Sequence, residues 1–251
     1  MTDKEIFIEA LKATGRAGID KVIAGLEELG FFTAPASSWH HGSVPGGLLT
    51  HSLNVFTEAK VVAESQIKLR PELAEKLPDA SIAIAALLHD VCKSEIYKEA
   101  LKWRKDANNK WEQYKTYAID DTSFPVGHGE KSVIRLLRWG LELTDDEIFA
   151  IRWHMTAFDI PSGGGGMANY NAAIDNCPLL VVLIAADSLA SKLLENKCDR
   201  QFGSLGVMCF RFHARSERSD LLSSSARMLR TCWSHRVWRM RDMTSTAECC
   251  S

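Results

Sequence analysis

The chain has no apolar run long enough to cross a bilayer: its longest, Leu179 to Ala186, covers eight residues, where a helical span needs about 20. Its first residues, Met1-Thr-Asp-Lys-Glu5, lack the basic and apolar regions of a signal peptide. The expectation is a cytoplasmic protein with no membrane partner. No Cys-x-x-Cys pair occurs among the seven cysteines, and an odd number cannot form a complete set of internal disulfides, so reduced thiols are expected. The tetraglycine Gly163–Gly166 lacks both the preceding strand and the lysine of a phosphate-binding loop, which leaves it a flexible lid or a plain linker. Lysine is absent after Lys197.

That last absence marks a change in the kind of sequence. Residues 1–198 carry 21 basic against 27 acidic residues, a net −6, whereas 199–251 carry 9 against 5, a net +4. An acidic body argues against tracking long duplex nucleic acid, whose non-specific affinity comes from Lys and Arg displacing counterions. A phosphorylated small molecule or a short single-stranded nucleic acid suits it better. Beyond Asp199 neither a helical nor a strand period persists, so residues 1–198 are expected to form the domain and 199–251 a basic, poorly ordered tail without a part in the chemistry.

Within the domain the pattern is mainly helical. Ile6, Leu11, Ile19, Val22, Ile23 and Leu26 recur at helical spacing around the breakers Gly15 and Gly18, predicting two short helices. Residues 30–47 hold two prolines, several glycines and His40-His41 without a period, and should lead as a loop into a helix from about Leu48 that carries His51. Ile82 to Leu88 is apolar on every face, which predicts a buried helix over about Asp79–Val91 with His89 and Asp90 at its end. Trp103, Trp111, Tyr114 and Tyr117 flank the turn-rich Asp106–Lys110, the pattern of a small β-hairpin; its aromatics either stack bases or, more commonly, pack across the strands. Helices are expected over His128–Trp139, after the capping box Thr144–Glu147 as far as His154, and from Pro178 through Leu194, where Asp187 interrupts an apolar surface.

Hydrolytic divalent ions are held by imidazole and carboxylate groups that leave positions open for water and substrate. Only six histidines precede the tail, four of them in or beside predicted buried helices, and Asp90 and Asp187 lie in similarly apolar surroundings. A buried acid without a partner is costly. A solitary helical histidine is usually structural, but the adjacent His89-Asp90 is more informative. Neighbours on a helix point about 100° apart, so both reach one ion only where a helix ends.

The order Gly46-Gly-Leu-Leu-Thr-His51, Leu87-Leu-His-Asp-Val-Cys-Lys93, Gly127-His128, Trp153-His154 and Ala186-Asp187 resembles the signature of the HD superfamily of metal-dependent phosphohydrolases over residues 38–195. His40-His41 ahead of Gly46-Gly47, and Gly-His after an aromatic hairpin, resemble most the HD domain of bacterial exoribonucleases that carry an OB-fold. The resemblance implies a mainly α helical bundle with a hairpin insertion. It also implies two divalent ions, Mn, Mg or Fe. His51, His89, Asp90 and Asp187 would hold one ion and His128 and His154 the second, with Asp90 or Asp187 shared. Lys93 would direct its charge to a substrate phosphate, unless it is a solvated surface lysine; His40 or His41 would close over the substrate or protonate a leaving oxygen, unless the pair is solvent-exposed. The expected reaction is hydrolysis of a phosphomonoester or phosphodiester of a nucleotide or short oligonucleotide through a metal-activated water. A di-iron oxygenase on the same ligands and a non-catalytic nucleotide-binding module are the alternatives.

Overall fold

A glycine pair starts the fold. Gly15 and Gly18 adopt left-handed conformations that L side chains disfavour, and they separate α1 (Asp3–Ala13) from α2 (Ile19–Glu28) as their positions in the sequence suggest. Phe7 and Leu11 of α1 and Val22 and Leu26 of α2 are fully buried, together with Phe31 just beyond α2. A computed structural model describes residues 1–160 and 164–195 of the chain; the expectations for the tail at 199–251 and for Gly163 fall outside the described residues.

The architecture is mainly helical with one small antiparallel hairpin, as expected. After a 3₁₀ turn at Phe31–Thr33, α3 (Gly47–Leu69) runs along the molecule and packs on α4 (Asp79–Leu88) and on α9 (Pro178–Leu189). Every residue of α4 from Ser81 to Leu88 is buried, which explains the missing polar face in its sequence. A short α5 (Lys93–Ile96) leads into β1 (Tyr97–Lys105) and β2 (Trp111–Ile119), joined by a turn in which Asp106 Oδ1 accepts hydrogen bonds from the backbone N–H groups of Asn108 and Lys110, both at 2.8 Å. Then come α6 (His128–Arg138), α7 (Asp145–Trp153) and α8 (Gly166–Asn176). α8 carries no clear signal in the sequence, since Gly166 continues a run of glycines and Tyr170 to Asn176 is too polar to show an apolar stripe. Beyond α9 the chain widens into a π-helical turn, Ala190–Leu194, closed by the bond from the Glu195 backbone N–H to the Ala190 carbonyl. Among the described residues, no single helix is long and apolar enough to cross a membrane.

One expectation needs correction: the buried helix stops at Leu88 rather than Val91, with a turn through His89–Cys92. The hairpin aromatics pack across the strands as expected, but against cations: Arg104 lies over Tyr114 at 5.0 Å and Lys105 over Trp111 at 5.6 Å, while Trp103 lies opposite Gln113 and Tyr117 opposite Glu99. Trp103 and Trp111 are 62% and 65% exposed.

The N-terminal helices are locked to the core by one acid. Glu147, fully buried at the third position of α7, accepts both arms of Arg16 (2.7 and 2.8 Å), Ser81 Oγ (2.7 Å) and the Thr144 backbone N–H (2.9 Å). Removing one partner of a buried pair leaves the other charge unmatched, at a cost of about 3 kcal/mol. Arg16→Ala is therefore expected to lower the urea midpoint by the equivalent of about 3 kcal/mol while leaving the circular dichroism of the native state unchanged; a loss near zero would show that Glu147 is satisfied without Arg16.

Candidate metal centre

Five helical segments deliver side chains to one point. His51 comes from the second turn of α3, and His89 and Asp90 from the place where α4 ends. His128 opens α6, His154 caps α7, and Asp187 stands in the last turns of α9. The early stop of α4 is what lets two adjacent residues converge: His89 Nε2 lies 3.1 Å from Asp90 Oδ2. Gly129 serves the other side. A Cβ there would collide with the carbonyl oxygens of Ile151 and Arg152, so glycine allows the start of α6 to rest on the end of α7, with the His128 and His154 rings 5.4 Å apart. Asp159 fixes that start by accepting from the backbone N–H groups of His128 and Gly129, each at 3.0 Å, and is itself held by Arg152.

Three of the imidazoles are oriented through Nδ1. His89 Nδ1 donates to the Ala86 carbonyl (2.9 Å) and His154 Nδ1 to the Ile151 carbonyl (2.7 Å). Both sit just past a helix end, where the carbonyl three residues back has no helical partner. His51 lies inside a helix whose carbonyls are occupied, and its Nδ1 instead meets Glu195 at 3.0 Å, with Asn54 Nδ2 donating to the same carboxylate at 3.0 Å. In all three the other nitrogen, Nε2, points into the cluster, buried and without a hydrogen-bond partner. An orphaned buried polar atom costs about 1–3 kcal/mol, and a set of Nε2 atoms whose Nδ1 positions are fixed by outer carbonyl or carboxylate groups is the arrangement that metal ligation uses. The donor set fits divalent ions.

Asp90 is the centre of the cluster. Its Oδ2 lies 3.4 Å from His51 Nε2, 3.1 Å from His89 Nε2 and 2.6 Å from Lys93 Nζ, while Oδ1 lies 2.8 Å from His128 Nε2 and 3.4 Å from His154 Nε2. Asp187 Oδ1 joins the first group at 3.3 Å from His51 Nε2. One carboxylate thus divides the imidazoles into two halves. Burial alone would push the Asp90 carboxyl up, yet Lys93 and His89 beside it hold it well below the usual range. Burial opposes a charge on His51 and on His128, but the carboxylates Asp187, Asp90 and Glu195 hold His51 well above the ordinary imidazole value, and Cys92 with Asp90 raise His128 to about 9. The electrostatics favour a cation in both halves, whether proton or metal.

All six residues proposed from the sequence meet here. Lys93 is neither solvated nor directed outward: it is 8% exposed and paired with Asp90. The half-buried His41 ring lies 4.9 Å from the His51 ring at a tilt of 40°, whereas His40 is exposed and contributes to none of the donor groups that could hold an ion. The sequence reading missed Glu195, Asn54 and Cys92. Asn54, three residues after His51, lay within reach of a helical-face argument, but the π-helical turn that swings Glu195 back onto α3 has no sequence signature of its own.

Glu195→Ala is expected to weaken metal binding about tenfold to a hundredfold, because His51 loses the acceptor that orients it, with Glu195→Gln intermediate; isothermal titration with Mn²⁺ measures both. Since His128 keeps its proton up to about pH 9 and an ion must displace that proton, wild-type affinity should rise from pH 6 to pH 9. A flat profile would remove His128 from the ligand set. No protein-family model, curated protein or solved structure matches the chain.

Proposed function

We propose that the chain is an HD-type phosphohydrolase that uses two divalent ions to hydrolyse a phosphoester of a nucleotide or short oligonucleotide. The observation that carries this reading is the division of Asp90, whose two oxygens serve two sets of inward-facing imidazoles. A carboxylate shared in this way suits a pair of ions, which when bound supply Lewis acidity and an acidified water. The chain's own residues do the positioning. Lys93 keeps Asp90 ionised and in place, so its contribution is to the ligand rather than to a phosphate. Burial, with the His51 and Lys93 charges, pushes His41 down to about 4; at neutral pH it is a neutral imidazole, which does not suit it to protonate a leaving oxygen.

The nucleotide part of the reading rests on the cavity beside His41. It measures about 440 Å³ and runs from Glu195 and Asn54 to the hairpin, with Trp39, Tyr114, Arg104 and Lys115 in its wall, a size within the range of ligand pockets. Trp39 and Tyr114 rings lie 5.9 Å apart, Arg104 covers Tyr114 at 5.0 Å, and Thr116 Oγ1 donates to the Ser38 carbonyl at 3.0 Å, pinning strand β2 to the His40-His41 loop. Aromatic faces beside basic side chains, a few residues from a metal-ligating cluster, suit a base and a phosphate of one ligand.

Protein loaded anaerobically with Mn²⁺ is expected to cleave an aryl phosphodiester, and His89→Ala or Asp90→Ala to abolish cleavage without altering helical content. Cleavage only with iron and oxygen would instead establish the oxygenase. Trp39→Ala should raise KM for a nucleotide substrate about tenfold, the equivalent of about 1.4 kcal/mol of stacking, and leave KM for the small aryl substrate unchanged. Equal effects on both would place Trp39 outside base recognition.

A further inference from the structure

Cys92 has no part in the reading above, although it stands two residues after Asp90 and is 1% exposed. Its backbone N–H donates to Ser132 Oγ at 3.1 Å, tying the turn after α4 to α6. Its Sγ lies 3.3 Å from His128 Nδ1 and 3.4 Å from Nε2. A cysteine serving as a small hydrophobe faces carbon, whereas this one faces an imidazole and shares a cluster with Asp90 and His128 whose donor atoms all lie within 4.8 Å of one another. His154 supplies an independent observation. Its Nε2 is buried, lacks a hydrogen-bond partner, and lies 3.4 Å from the same Asp90 oxygen that His128 contacts.

We infer that Cys92 is a thiolate ligand of the second ion, held together with His128 and the Asp90 oxygen that His154 Nε2 also faces. This rests on the metal-binding part of the proposed function and adds the identity of the metal. Ions bound at about 2.0–2.3 Å by N, O and S donors need those donors to be about 3–3.5 Å from one another; Cys92 Sγ and His128 Nε2 are 3.4 Å apart, and His128 Nε2 lies 2.8 Å from Asp90 Oδ1. As the metal–sulfur bond forms, the thiol proton leaves to solvent, and the ion gains a charged, polarisable donor. Such a donor discriminates between metals: thiolate favours zinc, iron(II) or cobalt(II), while magnesium takes oxygen ligands. The second position should therefore reject magnesium, leaving the half built on His51, His89 and Asp187 as the less selective one.

The test uses the full chain with Cys198, Cys209, Cys232, Cys249 and Cys250 replaced by serine, titrated anaerobically with Co²⁺ and followed by near-ultraviolet absorption and elemental analysis. A thiolate-to-cobalt charge-transfer band is expected, lost in Cys92→Ser, kept in Cys177→Ser, and resistant to excess Mg²⁺. X-ray absorption of the zinc-loaded parent protein reads the same bond without the Cys92 substitution, so a poorly folding variant leaves the inference testable; it should show a sulfur neighbour at about 2.3 Å. Bound cobalt without the band, a band that survives Cys92→Ser, or zinc without sulfur would overturn the role of Cys92 and leave the six-residue centre standing. Failure to bind cobalt at all would overturn both.

Discussion

A carboxylate taken fully out of water must be surrounded by positive charge or by donors, and Asp90 is such a carboxylate. Its surroundings account for much of the molecule. Lys93 reaches it from the next helical turn, His51 from α3, His89 from its own helix end, and His128 and His154 from the pair α6 and α7. Each of these elements is in turn held by contacts whose only evident purpose is placement: Gly129 lets α6 approach α7, Asp159 caps α6, and Glu147 clamps α7 to α4 and to the N-terminal helices. The apolar surfaces of α3, α4 and α9 provide the burial, and the polar centre determines how those surfaces must be arranged.

Much of this was legible in the residues. The all-apolar stretch before His89 announces a buried helix, and adjacency of a histidine and an acid at its end announces convergence, because a continuing helix would send them apart. The capping box at Thr144 and the turn at Asp106–Lys110 are equally local, and both stand where expected. What escaped is non-local. Glu195 reaches His51 across 144 residues, through a π-helical turn that no period reveals. Cys92 lay in plain view between Asp90 and Lys93, yet its meaning depends on His128 being opposite, which only the packing of α6 on α7 decides. That Lys93 turns to Asp90 rather than to a substrate phosphate is equally hidden, because sequence cannot tell a lysine turned toward its own helix end from one turned away.

The hairpin shows the same limit in another form. Its aromatics do pack across the strands, but on the cations Arg104 and Lys105, and Tyr114 finds its aromatic partner outside the hairpin, in Trp39 of the loop. The hairpin therefore acts as a wall for the cavity beside His41 and adds little to the core, since Thr116 is its only buried strand residue among those described. Anchoring through Thr116 makes loop and hairpin one surface.

The two ways of holding an imidazole differ in how much of the chain each requires. His89 and His154 are aimed by carbonyls three residues behind them, so the orienting group of each lies in its own helix. His51 is aimed by a group 144 residues away, and closing so long a loop carries an entropic penalty that short-range contacts escape. The orientation of the His51 ring is therefore conditional on the chain around Glu195 being docked against α3, which ties one ligand of the centre to the integrity of the whole domain.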